Sequence, residues 1–184
     1  MKNIIAWMAT AATLSFSPVL LAGQNDPRLD DLFLALKAAQ SEEASAPIEA
    51  QIWALWTQSG IDDIDRLMAL GIGAMAIRDF PTANAVFTTI VEKAPNFAEG
   101  WNKRATLYYL MGAVKQSAAD VEKTLKLEPR HFGALSGLGL IRLAEENEKA
   151  ALEAFERGLA IHPHMAGATT YIRKLKLKLL GRGI

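Results

Sequence analysis

The chain has no cysteine, no surplus of either charge and none of the short motifs that mark common active sites. Without cysteine there is no disulfide, no thiol nucleophile and no cysteine-held zinc or iron–sulfur cluster. Lysine plus arginine equal aspartate plus glutamate at 20 each, so no basic field draws the chain to nucleic acid. A Gly-rich phosphate loop, G-x-S-x-G and H-E-x-x-H are all missing, and no histidine stands beside a nucleophile. The chain is therefore not read as an enzyme. His131, His162 and His164 fall in turns and are expected at the surface; His162-Pro163-His164 lacks a third ligand, so no metal or other cofactor is expected. What is present is apolar. Hydrophobic residues make up 51% of 184, with alanine, leucine, glutamate and lysine plentiful, which suits one helical domain with a real core.

The first 22 residues read as a leader. Lys2 gives a short positive start, Ile4 to Leu14 is uncharged and mostly apolar, and "SFSPVLLAG" supplies a break at Pro18 and small residues at Ala22 and Gly23. Cleavage there predicts an exported, periplasmic protein. The alternative is an uncleaved signal anchoring the chain to the inner membrane, since Ile4 to Leu21 approaches the roughly 20 apolar residues of a spanning helix. Gln24 stands where a lipidated cysteine would be required, which excludes lipidation.

Pro95, Pro129 and Pro163 recur with a period of 34 and define three units, Ile64–Phe97, Ala98–His131 and Phe132–Met165. The fourth residue of each is Leu67, Trp101 or Leu135, the twentieth Ala83, Ser117 or Ala151, and the twenty-fourth Phe87, Val121 or Phe155. Between these anchors the apolar spacing is helical, as in Leu67, Leu70, Ala74 and Ile77. Proline at position 32 ends the second helix of each unit, because it lacks an N–H and pushes the preceding residue out of helical geometry. Each unit thus predicts one helical hairpin.

This pattern resembles the tetratricopeptide repeat, with its large residue at 4, Leu-Gly at 7–8, small residue at 20, aromatic at 24 and proline at 32. The resemblance implies an all-α, right-handed superhelical solenoid of antiparallel helix pairs. Departures are local: position 7 is Arg104 in the middle unit, and position 27 is Ile90, Thr124 and Gly158. Residues 23–63 are expected to form a degenerate helix pair packed on the first full unit, and 166–184 a capping helix and tail. In the front pair, Asp26-Pro27 opens a helix with Leu29, Phe33 (or Leu32) and Leu36 on one face. "SEEASA" reads as a loop, with a second helix from near Pro47 showing Ile48, Ile52, Trp53 and Trp56. Trp53, Trp56 and Trp101 are expected as core anchors.

The resemblance also implies a concave face lined by first-helix residues, and with it a binding groove at Met68, Ile72, Met75, Asn102, Lys103, Thr106, Tyr109 and Leu140. Some members hold a peptide's terminal carboxylate in a clamp of Lys, Asn and Arg; here only Asn102 and Lys103 match, so the clamp is not expected. An apolar, Met-containing groove suits a partner's helix or apolar peptide. The expected function is protein–protein interaction in the bacterial envelope, as adaptor or assembly factor; the alternative is a chaperone-like holdase for unfolded exported chains. The chain's own N-terminal pair is a third candidate for filling the groove. Charge is uneven: residues 26–66 hold nine acids and three bases, while 166–184 hold five bases and no acid. The basic tail is open to weak contact with an anionic membrane or an acidic partner.

Overall fold

A computed structural model describes residues 22–181; the leader read at 1–22 lies outside it except for Ala22. Among the described residues every regular element is a helix: a 3-10 turn at Gly23–Asn25, then α1 (Arg28–Ala38), α2 (Glu42–Trp56), α3 (Asp62–Ala76), α4 (Phe80–Lys93), α5 (Ala98–Leu110), α6 (Val114–Leu127), α7 (Phe132–Ala144), α8 (Glu148–Ile161) and α9 (Ala168–Leu180). From α3 onward each helix packs on the next, and α3, α5 and α7 lie side by side. The expected solenoid of helix pairs is what forms.

Local chemistry explains where the helices start and stop. Asp79, His131 and Asn147 accept backbone N–H bonds from Thr82, Ala134 and Ala150, capping α4, α7 and α8. At the other end Ala94, Glu128 and His162 precede the three prolines with φ of −128°, −136° and −124°, outside the helical basin. The turn within each hairpin places one residue in the left-handed region: Arg78, Gly112 and Glu146.

Hairpin packing is set by position 8 against position 24. A Cβ added at Gly71 or Gly139 would sit 2.5 Å from the ring of Phe87 or Phe155. In the middle hairpin the smaller Val121 replaces the ring, and Ala105 fits where glycine is otherwise needed. Arg104 holds the same hairpin by a different bond. Its guanidinium makes a two-pronged contact with Asp120 of α6, 2.7 and 3.0 Å, and carries the rings of Trp101 and Tyr108. Trp101 is therefore not the expected core anchor: half-buried, it donates its indole N–H to Pro95 O on the adjoining turn.

The N-terminal pair departs most from expectation. α2 begins at Glu42, not near Pro47: Ser41 accepts from the Ala44 N–H, so "SEEASA" is the first turn and more of a helix that tolerates Pro47 within it. The pair is not stacked in front of α3. It runs as a strap along the turns that join one hairpin to the next, where Gln24 bonds Asn96 and Ala98, Asp30 pairs with Arg130, and Ala39 O accepts from His164. Phe33, Trp56, Phe132, Ile172 and Leu175 share one core, joining α1 and α2 to the third hairpin and α9. The physical reason is partner quality. The outer side of α3 offers Leu70 and Ile77 among Asp63 and Arg66, whereas the turns offer Phe132 and the His131 ring for Trp53 and Trp56 to pack on, with His162 and His164 as hydrogen-bond partners for Glu49 and Ala39 O.

Candidate functional site

Glu99, at the second position of α5, is 1% exposed and organises the groove's floor. His131 spends Nδ1 on the α7 cap, accepting from Ala134 N, so the hydrogen on Nε2 is donated to Glu99 Oε2 at 2.8 Å. Asn102 donates to the same oxygen at 2.9 Å, and Lys103 Nζ lies 2.9 Å from Oε1. Burial works to raise the Glu99 carboxyl pKa; the bond from His131 and the charge of Lys103 outweigh it and hold the group below its ordinary value. Trp56 stacks on His131 with ring centres 4.0 Å apart. Trp53 stands edge-on to His131 and Phe132, donates its N–H to Glu49, and passes under Lys103, whose Nζ is 5.2 Å from the ring centre. Glu49 in turn meets His162 Nε2 at 3.1 Å.

Trp53 thereby occupies the end of the groove nearest the starts of α5 and α7. A Cβ on Gly133 would lie 2.5 Å from its ring, so glycine is what admits it. The strap fills this half of the groove, and the surface-turn reading of the histidines is corrected: His131 and His162 are wholly buried and His164 is half-buried. Among the described residues no group of three His, Cys, Asp or Glu could hold a metal ion.

Beyond Trp53 the groove stays open. Asn102, Thr106 and Tyr109 of α5 face Ser136, Gly137 and Leu140 of α7 across a cleft of about 210 Å³, floored by Ala105, Ser117 and Val121. Four of the expected groove residues, Asn102, Thr106, Tyr109 and Leu140, meet here. Thr106 is exposed, with its hydroxyl turned back to Asn102 O; Ser117 is tied to Ala105 O. Asn102 gives its side-chain N–H to Glu99 Oε2. The other four are elsewhere. Met68, 2% exposed, is a core residue packed with Ile64 and Phe87, because position 5 of the first hairpin turns inward. Lys103 is consumed by Glu99 and Trp53. Ile72 and Met75 lie further along α3 and do not line the cleft.

The first-helix rule missed the floor, since Ser117 and Val121 belong to α6. It also missed Trp53. The available signal was the coincidence of two tryptophans in α2 with histidines in successive turns.

Comparison with known proteins agrees with this geometry. A TPR repeat-containing protein of Rhizobium etli is 37% identical over 154 residues, covering 84% of this chain and 76% of that protein. The chain belongs to the tetratricopeptide repeat family. The TPR family model itself matches residues 103–166. A heat-shock cognate co-chaperone of Aspergillus fumigatus is 30% identical over 76% of this chain, which spans 42% of that relative. Among solved structures, the Sgt2 TPR domain of Aspergillus fumigatus superposes with a TM-score of 0.62 at 26% identity, covering 67% of this chain and 83% of that one. The first TPR domain of Spaghetti, bound to an HSP90 peptide, superposes with 0.61 at 21% identity over 64% and 93%. TPR domains are protein-interaction modules, and the TPR groove is what Trp53 divides here.

Proposed function

We propose that this TPR protein binds a partner polypeptide in the open half of its groove, as an adaptor or assembly factor and not as an enzyme. The observation that carries the reading is the cleft between α5 and α7, uncharged on its floor and polar at Asn102, Thr106 and Ser136 on its rim. An apolar side chain of the partner enters beside Leu140 and Tyr109, while Asn102 Oδ1 accepts a backbone N–H. Binding of an acidic peptide such as the HSP90 peptide SRMEEVD of the Spaghetti complex is disfavoured for this chain. Its one groove lysine is neutralised by Glu99, and the strap covers that end. The leader read at residues 1–22 supports a bacterial envelope location.

The test is photo-crosslinking from position 106 in the parent cells, followed by mass spectrometry of the adducts. One dominant adduct, lost when Thr106→Arg is introduced in a cleft probe at position 140, supports the adaptor. Many exported proteins crosslinked equally favour the holdase reading, for which the uncharged floor is the supporting feature. Partner recovery unchanged by Thr106→Arg would place the site outside the cleft. Thr106 is exposed, so the arginine leaves the fold intact.

A further inference from the structure

The solenoid ends on two helix faces that no described element covers. In front, α3 packs on α4 and α5, and the strap lies elsewhere. Its outward side carries Asp63, Arg66, Leu70, Gly73 and Ile77, at i, i+3, i+7, i+10 and i+14, the spacing of a helix seam. Leu70 is 54% exposed and Ile77 78%, and a Cβ on Gly73 would meet nothing within 4 Å. At the back, α9 buries Ala168, Ile172 and Leu175. Its opposite side shows Arg173, Lys174, Leu177 and Leu180, the two leucines 67% and 71% exposed.

The two faces are complementary in charge as well as apolar. Among the described residues Arg173 and Lys174 have no carboxylate partner, whereas Lys176 and Lys178 beside them are paired with Glu156 and Glu148. The first turn of α3 holds Asp62, Asp63 and Asp65; Asp63 pairs with Arg66 and Asp65 accepts from Ser59, and among the described residues neither Asp62 nor Asp65 has a cation partner.

We infer that α9 of one copy packs along α3 of the next, in parallel, so that the protein associates head to tail. The parallel direction sets Arg173 and Lys174 against the acidic first turn of α3 and brings Leu177 and Leu180 level with residues 66–70, so that they pack on Leu70 and the stem of Arg66 while Ile77 lies past the end of α9. The antiparallel one would bring the same cations toward Arg78. The contact is heterologous: each copy keeps one free α3 and one free α9, so it propagates unless it closes into a ring. A single helix pair is a small interface, so association is weak, rises with concentration and falls with salt.

Sedimentation velocity of the full chain over a concentration series tests this. The expected result is a mean mass that climbs with concentration. Leu70→Glu and Leu177→Glu, both at exposed positions, each lower the association constant more than tenfold while circular dichroism is unchanged. Mixed together, they form a one-to-one dimer that grows no further, because one supplies a free α9 and the other a free α3. A protein that stays monomeric at all concentrations, or variants whose mixture gives no dimer, overturns the inference. So does co-sedimentation with phosphatidylglycerol vesicles that depends on Leu177 alone, which would assign α9 to a lipid surface.

Discussion

Gly71, Ala105 and Gly139 occupy the same place in successive hairpins, and what each tolerates is set by the residue opposite. Phe87 and Phe155 leave no room for a methyl group, whereas Val121 does. Gly139→Ala should therefore destabilise by about 1–3 kcal/mol despite its better helix propensity, because the Phe155 ring must move. Urea unfolding measures it; a stabilised variant would mean the ring is free to shift. Trp101 illustrates the opposite error. Its position reads as core, yet Arg104 has drawn it out over the guanidinium, so Trp101→Ala removes one hydrogen bond and one stacking contact. The expected loss is about 1–2 kcal/mol by the same measurement, short of the 3–5 kcal/mol of a truncated core aromatic.

At the scale of elements, the hairpins were legible because their signals are local. Proline at 32, small residues at 8 and 20 and apolar residues at helical spacing act within one hairpin or between neighbours. The sequence reading correspondingly placed α3 to α8 as helices, and the solenoid followed. α2 was misread at its start, since Pro47 is a stronger textual signal than the Ser41 cap, although a single lost backbone bond inside a helix packed along one side is tolerable. In the groove, Asn102, Thr106, Tyr109 and Leu140 were legible once the repeat's register was joined to the concave-face positions that the family resemblance implies. Met68 was not, because the terminal hairpin has no neighbour before it and its first helix turns Met68 inward beneath Phe87.

At the scale of the whole molecule, the strap is held by contacts between residues far apart in sequence, and Glu99 fixes two of the side chains it packs on, His131 and Lys103. Because the carboxyl pKa of Glu99 is lowered by folding, its contribution to stability is present above the ordinary value of 4.5 and is lost as pH falls through the lower folded value. Glu99→Gln should destabilise at pH 7, and the gap to the parent chain should narrow steadily as pH drops below 4.5. Thermal melts from pH 7 to 3 follow it; a gap independent of pH would mean Glu99 acts by shape and not by charge. The same change should release Trp53 from the groove, visible as a red shift of tryptophan emission.

The sequence by itself determined the hairpins and their period, because backbone geometry and nearest-neighbour packing are written within 34 residues, and the family resemblance read on that register pointed to the four residues around the cleft. Only the tertiary structure decided where the N-terminal pair goes, that three turn histidines serve it, and that half of the groove is filled. Those outcomes depend on which surface best packs two indole rings and pairs a buried carboxylate across many tens of residues, and no periodicity encodes that choice.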